Sequence, residues 1–348
     1  MPFFEFGKLE GDCKTVFECA GLDAEEAQRV ASSLVMSNLM GHDSHGVIRL
    51  VQYVQALEDE IVKAGRRIEV IREAEASAVV DGGWGFGQTV CRQAMDLALD
   101  KARQMSIAAV ELFNSSHIGR LGEYVEQAAE EKMIGIVMCN NHGGGRLLSP
   151  FGGIDARMSP NPIAIGVPTG KGHPIVVDMT TSVVAEGKIR VKRNLGESLP
   201  EGWAIDSEGN PAAEPEDFYG PPRGSILPFG GNSAHKGYAL AVIIDILSGA
   251  LGGGGCSREG APSGGNGVFL MALDIKAFTG NDQFEGDVDD FIDFLKSSRL
   301  MPGFSEILMP GDVEHGLRTK REAEGVFVDD ETWLQICETG QKVGVELA

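Results

Sequence analysis

Residues 107–139 read IAAVELFNSSHIGRLGEYVEQAAEEKMIGIVMC, and the changes of period along this stretch decide the fold. Ile107 to Leu112 is a β-type run, and Asn114-Ser115-Ser116-His117-Ile118-Gly119-Arg120 is a small polar turn. Leu121 to Lys132 is a helix-type run, and Ile134 to Cys139 a second strand. Strand, turn, helix and strand in that order are the unit of an α/β sheet. The turn sets a histidine between two rigid elements that can fix an imidazole in space, and imidazole is the side chain whose unperturbed pKa lies near neutrality. Such a histidine is either a cap or loop filler or a proton-transfer group, and the turn alone does not choose.

Working outward, Ala76 to Val80 reads as a strand and Gln88 to Gln104 as a helix upstream of the turn. Downstream of a Gly/Pro-rich connection come strands over Pro162 to Val167 and Ile175 to Asp178, a helix near Val184 to Arg193, and a loop from Glu197 to Gly231 rich in Pro, Gly and acids. His235 to Leu251 is apolar on nearly every side except Asp245, the pattern of a helix through the middle of a domain, and Val268 to Ile275 reads as a further strand. Both ends are helical. Asp23, followed by Glu26, caps a helix carrying Val30, Leu34, Val35 and Met36; a second helix is predicted from Ser44 to about Glu58; the tail from Asp287 returns to helices, with Asp330 as a cap. The pattern predicts a mostly helical domain built from residues 1–75 with 285–348, enclosing an α/β domain over 76–284.

Composition narrows the function. The 51 acidic against 30 basic residues give a net charge of -21, which repels phosphate backbones and anionic lipid surfaces, so neither nucleic acid nor a membrane is an expected partner. An acidic protein that handles an anion needs a local exception, which draws attention to any arginine beside a candidate catalytic group. The six cysteines, at 13, 19, 91, 139, 256 and 337, form no Cys-x-x-Cys pair and are too sparse for a disulfide framework. With no basic-then-apolar leader at Met1-Pro2-Phe3 and no membrane-spanning run, a cytoplasmic protein is expected.

If Ser44 to Glu58 is helical, His45, Arg49 and Tyr53 fall at i, i+4 and i+8 on one stripe, with Val47, Ile48, Leu50, Val51 and Val54 over the rest. In line, an imidazole exchanges a proton, a guanidinium grips a carboxylate with two parallel hydrogen bonds, and a phenol donates to an oxygen. The alternative is a solvated helix face. His42-x-x-His45 with His117 or His142 has the types for a metal site, yet no His-Glu-x-x-His and no cysteine cluster supports one, so no metal is expected. Asn140-Asn141-His142-Gly143-Gly144-Gly145 is either an anion cradle or a flexible turn. The dinucleotide fingerprint is missing: Gly83-Trp84-Gly85-Phe86-Gly87 comes nearest and lacks the last glycine, and no Walker loop or Gly-x-Ser-x-Gly elbow is present.

Four motifs in order carry a resemblance: Ser44-His45-Gly46-Val47-Ile48-Arg49, Asn114-Ser115-Ser116-His117-Ile118-Gly119, Asp178-Met179-Thr180-Thr181-Ser182 and His235-Lys236-Gly237-Tyr238-Ala239-Leu240. They resemble the malate/L-lactate dehydrogenase family without a Rossmann fold, which includes ureidoglycolate and sulfolactate dehydrogenases, and look nearest to its hydroxycarboxylate dehydrogenase B branch. Pro200 to Asp206 and Thr332 to Ile336 extend the likeness over nearly the whole chain. The resemblance implies a non-Rossmann nicotinamide-binding α/β domain with a mixed sheet, a mostly helical second domain, and a homodimer. It implies an NAD(P)-dependent oxidoreductase interconverting small anionic 2-hydroxy and 2-oxo acids, with NAD somewhat ahead of NADP; the alternative is a reductase of cyclic imines such as Δ1-piperideine-2-carboxylate.

The proton-transfer role maps onto His117 or His45, and substrate binding onto Arg49 with Tyr53 and Ser44. Cofactor contacts map onto Asp178, Met179, Thr180, Thr181 and Ser182, onto His235 and Lys236, and onto Gly311, Asp312 and Val313. Asp178 at a strand end suits ribose hydroxyls or a helix cap, and Lys236 at a helix start suits a phosphate or ribose. Two stretches depart from the family pattern. Ser159-Pro160-Asn161-Pro162 stands where Gly-Thr-Asn-Pro is usual, its extra proline removing an amide donor, and Gly252 to Gly267 matches poorly. A binding protein that merely kept the fold would not need His45, Arg49, His117 and Lys236 together.

Overall fold

The computed structural model describes residues 3–261 and 264–347. In chain order it contains β1 (Phe3–Phe4), α1 (Phe6–Cys19), α2 (Ala24–Leu39), α3 (Arg49–Glu58), β2 (Glu69–Ala74), β3 (Ser77–Gly85), α4 (Gly87–Met105), β4 (Ile107–Ser115), α5 (Gly122–Glu130) and β5 (Met133–Asn140). Then come β6 (Ile163–Val167), β7 (Ile175–Met179), α6 (Glu186–Leu195), β8 (Ala204–Ile205), α7 (Pro215–Tyr219), β9 (Ser225–Ile226), α8 (His235–Asp245), β10 (Asn266–Asp274), α9 (Asn281–Lys296), α10 (Asp312–Glu324), β11 (Val326–Phe327) and α11 (Asp330–Lys342).

A seven-stranded mixed sheet in the order β2-β3-β4-β10-β5-β6-β7 forms the centre. Only β3 and β4 pair in parallel; β10 runs antiparallel between β4 and β5, with Leu270 opposite Val110 on one side and Val137 on the other. This is not the all-parallel doubly wound sheet of a Rossmann domain. The 107–139 stretch is therefore strand, helix and strand as its periods require, but its two strands are separated by a strand from the far half of the chain.

Alternation in β4 sends Ala108, Val110 and Leu112 toward α4 and α5, where they share a core with Ala94, Met95, Leu99, Tyr124 and Val125. A second core joins the chain ends: Leu9, Val16, Phe17, Val30, Leu34, Leu50 and Tyr53 pack with Val326, Val328 and Ile336. Phe86, immediately before α4, belongs to this second core, so the entry to the sheet's main helix is anchored in the helical layer.

Several sequence expectations are corrected. The helix predicted from Ser44 begins only at Arg49 and is preceded by a 3₁₀ turn, Asp43–His45. β2 is an edge strand whose six residues are all exposed; Glu69, Arg72 and Glu73 hide its period and keep the edge from pairing with another chain. The 197–231 loop carries β8, α7 and β9 around a small core of Leu199, Ala204, Phe218 and Ile226. The His235–Leu251 reading is inverted: Ile243, Ile246 and Leu251 are 50%, 45% and 57% exposed, while Asp245 is buried. That carboxylate accepts from Asn140 Nδ2 and from Ser257 N, both at 2.9 Å, so the one acidic group on the helix is its anchor. α8 also passes into a π-helical turn at Ile246–Ala250. At the last helix the cap is Asp329, accepting from Thr332 N, rather than Asp330.

Candidate active site

His117 follows the end of β4, and glycines let its segment lie against the start of α4. Gly87 N donates to Ser116 Oγ at 2.8 Å, and a Cβ on Gly87 would stand 2.4 Å from the His117 carbonyl oxygen. The Gly83–Gly87 run that came nearest to a dinucleotide fingerprint thus seats the histidine turn. Ile118 N donates to Asn266 Oδ1 at 3.0 Å, which fixes the turn to β10. The ring itself is held by Tyr53, whose hydroxyl lies 2.8 Å from His117 Nδ1, and Gln88 Nε2 donates to that hydroxyl at 2.8 Å. Tyr53 is only 4% exposed, so its phenol is turned to His117 and Gln88.

His45 reaches the same place from the 3₁₀ turn. The helical stripe predicted for His45, Arg49 and Tyr53 does not exist as a stripe, because Gly46 is extended at φ -86° and ψ -154°. Its missing side chain is required: a Cβ there would lie 2.2 Å from Asn38 Oδ1, the atom that accepts from Val47 N. Asn38 Nδ2 also donates to Asp43, whose carboxylate is gripped by Arg321 at 2.7 and 3.2 Å. α2 and α10 therefore clamp the turn from both chain ends. The fold still brings the predicted groups together: the His45 and His117 rings stack with centroids 5.4 Å apart at an interplanar angle of 20°. Ser44 Oγ lies 3.0 Å from His45 Nδ1. Arg49 Nε donates to the Ser44 carbonyl at 2.7 Å and Nη1 to Gln52 Oε1 at 2.7 Å, leaving Nη2 and one Nη1 hydrogen for a ligand.

The electrostatics favour neutral rings. Burial lowers the His117 pKa well below its ordinary value, and the neighbouring His45 and Arg49 lower it further. Burial, then Arg49, His42 and Arg120, bring His45 down to about 4. Burial raises Tyr53 to about 12, so it stays a phenol. Its hydroxyl can donate to a bare His117 Nδ1 or accept from a protonated one, so it answers either tautomer. Gln88 Oε1 is buried without a partner among the described residues.

The expected cofactor residues line three segments that meet around β7. Thr180 Oγ1 donates to the Pro160 carbonyl at 2.7 Å, and Thr181 Oγ1 to the Asn161 carbonyl at 3.1 Å. The extra proline of Ser159–Pro162 therefore serves through its carbonyl as a brace, and its missing amide leaves no gap. Ser182 Oγ donates to the Val184 carbonyl, and Met179 is 40% exposed. Phe229 N donates to the Thr181 carbonyl at 3.0 Å while Gly237 packs on Phe229, which brings the start of α8 alongside. There His235 and Lys236 are exposed, His235 edge-on to Phe151. Val176 N donates to the Pro310 carbonyl, placing Gly311 and the first turn of α10 beside β7. Val313 is 52% exposed, whereas the Asp312 carboxylate is occupied by Lys296 Nζ and Met309 N.

Asp178 Oδ2 accepts from Gly122 N at 2.7 Å, capping α5. Burial raises its pKa against the pull of Arg120 and His42, and burial correspondingly lowers His42. Arg120, 3% exposed and paired with Glu126, makes this a buried charged cluster beside the histidines that sequence reading missed. The signal was present in the Arg120 that closes the His117 motif.

His142 is not free for a metal, since its Nε2 accepts from Asn114 N at 3.0 Å and its Nδ1 faces the Gly254 carbonyl. Among the described residues no group of three or more His, Cys, Asp or Glu could hold a metal ion.

The sequence profile described as Malate/L-lactate dehydrogenase matches residues 4–337. A malate dehydrogenase of Pyrococcus abyssi is 40% identical over 94% of this chain and 91% of its own, and hydroxycarboxylate dehydrogenase B of Escherichia coli K12 is 33% identical over 98% and 94%. The solved structure of malate dehydrogenase from Pyrococcus horikoshii OT3 superposes with a TM-score of 0.89 at 35% identity, covering 100% of this chain and 97% of that one.

Proposed function

Since the chain belongs to the malate/L-lactate dehydrogenase family, whose named relatives are dehydrogenases of hydroxy acids, we propose that it interconverts a small 2-hydroxy acid and its 2-oxo acid with NAD or NADP. The observation that carries the reading is the stacked His45–His117 pair beside Arg49, with Tyr53 behind it.

The residues around β7 suit a nicotinamide nucleotide by their chemistry. The start of α8 offers a helix N-terminus together with Lys236, an exposed cation for which the described residues supply no acidic partner, which fits a phosphate; the exposed Met179 offers an apolar surface. Asp178, Thr180, Thr181, Ser182, His235, Gly311 and Val313 complete the proposed contacts, with Asp312 acting through its backbone. When bound, the nicotinamide accepts or returns a hydride.

The chain's own groups do the rest. Arg49 holds the substrate carboxylate with its remaining hydrogens, with Ser44 beside it. In oxidation the neutral His117 takes the hydroxyl proton as the hydride leaves the same carbon; in reduction it returns a proton to the carbonyl oxygen. A bound carboxylate neutralises Arg49 and removes one of the charges that hold His117 unprotonated, so substrate itself strengthens the base. The two stacked rings carry at most one proton beyond their neutral forms, and we assign to His45 the exchange of a proton with solvent. Tyr53 orients His117.

Two further parts of the proposal rest on surface features. Ala109, Ile136 and Met271 lie half-buried on the sheet face opposite α4, which with the exposed Ile243 of α8 and Ile246 of the π turn we assign to a homodimer contact. No described helix is long and apolar enough to cross a membrane, and the six cysteines are all unpaired thiols, which supports a cytoplasmic location.

The test follows NADH and NADPH absorbance separately across 2-oxo acids and cyclic imino acids, with binding of each nucleotide measured in parallel. Oxidation of one nucleotide by a 2-oxo acid is expected. A protein that turns over none of these and binds neither nucleotide would overturn the proposal.

A further inference from the structure

A cavity of about 390 Å³ opens beside the glycine turn after β5, lined by Asn141, Gly145, Arg146, Arg223, Arg258 and Gly260 among others, and it shares no residue with the two-histidine site. In a chain of net charge -21, three arginines converge here and, among the described residues, no acid lines the wall. None of the three forms an ion pair among the described residues; by contrast Arg157, on the same side, is met by both Asp155 and Glu259.

The guanidinium groups are placed rather than loose. Arg223 lies over the Phe218 ring at 5.0 Å. Arg258 Nη1 donates to the Cys256 carbonyl at 3.1 Å, and its guanidinium fills space that only glycine leaves: a Cβ on Gly255 would stand 2.1 Å from Nη1, and one on Gly143 3.0 Å. Other donors point the same way. Asn141 Oδ1 is occupied by Asn266 Nδ2 at 3.0 Å, so the amide turns its own hydrogens outward. The left-handed backbone at His142, Gly143 and Gly145 leaves the amides of Gly145 and Arg146 without an acceptor among the described residues. Successive amides in such a turn form an anion-binding concavity.

We propose that this pocket, apart from the residues assigned above to the cofactor, binds a phosphate group. Three guanidinium groups, a carboxamide and two backbone amides are all donors, and guanidinium forks match phosphate oxygens. The pocket is tied to the catalytic turn through Asn266, which holds Asn141 with one end of its amide and Ile118 N, next to His117, with the other. A phosphate there comes from either of two sources, a free phosphate compound or the 2′-phosphate of NADP.

The experiment titrates inorganic pyrophosphate, NADH and NADPH separately into the full-length protein by calorimetry, for wild type and for Arg146→Ala/Arg258→Ala. Arg258 is exposed and Arg146 half-buried, so the variant should fold, and a melting curve verifies it. If the ligand is a free phosphate compound, pyrophosphate binds wild type and weakens at least about tenfold in the variant while both nucleotides are unchanged, in line with the loss of two charge-assisted contacts. If it is the cofactor, NADPH weakens by that factor, NADH does not, and pyrophosphate competes with NADPH alone. Equal affinities of wild type and variant for all three, or no binding of pyrophosphate together with equal NADPH affinity, overturns the proposal. Arg223→Glu must reproduce the loss.

Discussion

Replacing Tyr53 by Phe isolates what orients His117. The change removes one oxygen and leaves the ring in the helical core, where it packs on Phe86 at 6.0 Å. The lost hydroxyl is 2.8 Å from both His117 Nδ1 and Gln88 Nε2, so both are stranded in the variant. A hydrogen bond to a group that becomes charged contributes about 1.5–3 kcal/mol. At roughly 1.4 kcal/mol per tenfold, kcat/KM should fall by about 10- to 100-fold if that bond matters in the transition state. Protonated His117 loses the acceptor for its Nδ1 hydrogen, which lowers its pKa further, so the acid limb of the pH profile moves to lower pH. The assay is kcat/KM against pH for Y53F, H117A and the double variant. Because Tyr53 acts through His117, adding Y53F to H117A should cost little more. A single variant within twofold of wild type with an unmoved limb, or additive losses in the double variant, would refute the relay.

His117→Ala is expected to lower kcat by about 10²- to 10⁴-fold, with a smaller loss for His45→Ala; the reverse order in single-turnover rates would transfer the main role to His45. Arg49→Lys should raise KM for the oxo acid by about tenfold with kcat largely kept, since a lysine cannot fork onto a carboxylate, and an unchanged KM removes Arg49 from the site. Glu111 is 4% exposed, both its oxygens lack partners among the described residues, and burial raises its pKa to about 9. The folded state thus keeps a proton that the unfolded state releases above about 4.5, and stability falls as pH rises from there toward 9. Glu111→Gln should flatten that fall in melting temperature between pH 5 and 9; an identical slope contradicts it. His45 has the opposite sign. With a folded pKa of about 4 against 6.5 unfolded, it remains neutral while the unfolded chain protonates, so stability is lost as pH falls through that window. His45→Asn should show a shallower acid-side loss in the same melting series.

The elements with a clean period were legible because one face of each is buried in a single core. β4 alternates, α4 presents Val90, Ala94, Met95, Ala98 and Leu99 to the sheet, and β10 is continuously apolar because it is central. What misled was chemistry that period does not encode. Gly46 inside an apolar 44–58 run looked tolerable in a helix, and only the position of Asn38 shows that it must be extended. His45 and Arg49 nevertheless ended near His117, so the resemblance located the cluster although the helical stripe was wrong. The Tyr53 hydroxyl beside His117 and Gln88 is a tertiary contact that the helical spacing did not record. Asp245 stood as the polar exception on a helix read as passing through the middle of a domain, and its partners Asn140 and Ser257 lie 105 residues upstream and beyond the π turn. Each of these was decided by a side-chain contact that hydrophobic period does not record.

The division of labour proposed for the two histidines rests on what holds each ring. His117 is answered at Nδ1 by a buried phenol that serves either tautomer, and its backbone is fixed by Gly87 and Asn266. A group so held keeps its geometry whether or not it carries the proton, which is what the atom facing substrate must do. His45 is answered by Ser44, which is exposed, and sits on a turn fixed from outside by Arg321 of α10. Half-buried behind an exposed serine, it lies nearer to solvent than His117, which in the proposed reaction suits it to exchange a proton with water. That arrangement also gives the distant chain end a part in the chemistry: releasing Arg321 from Asp43 should loosen His45 and slow proton exchange while leaving His117 in place.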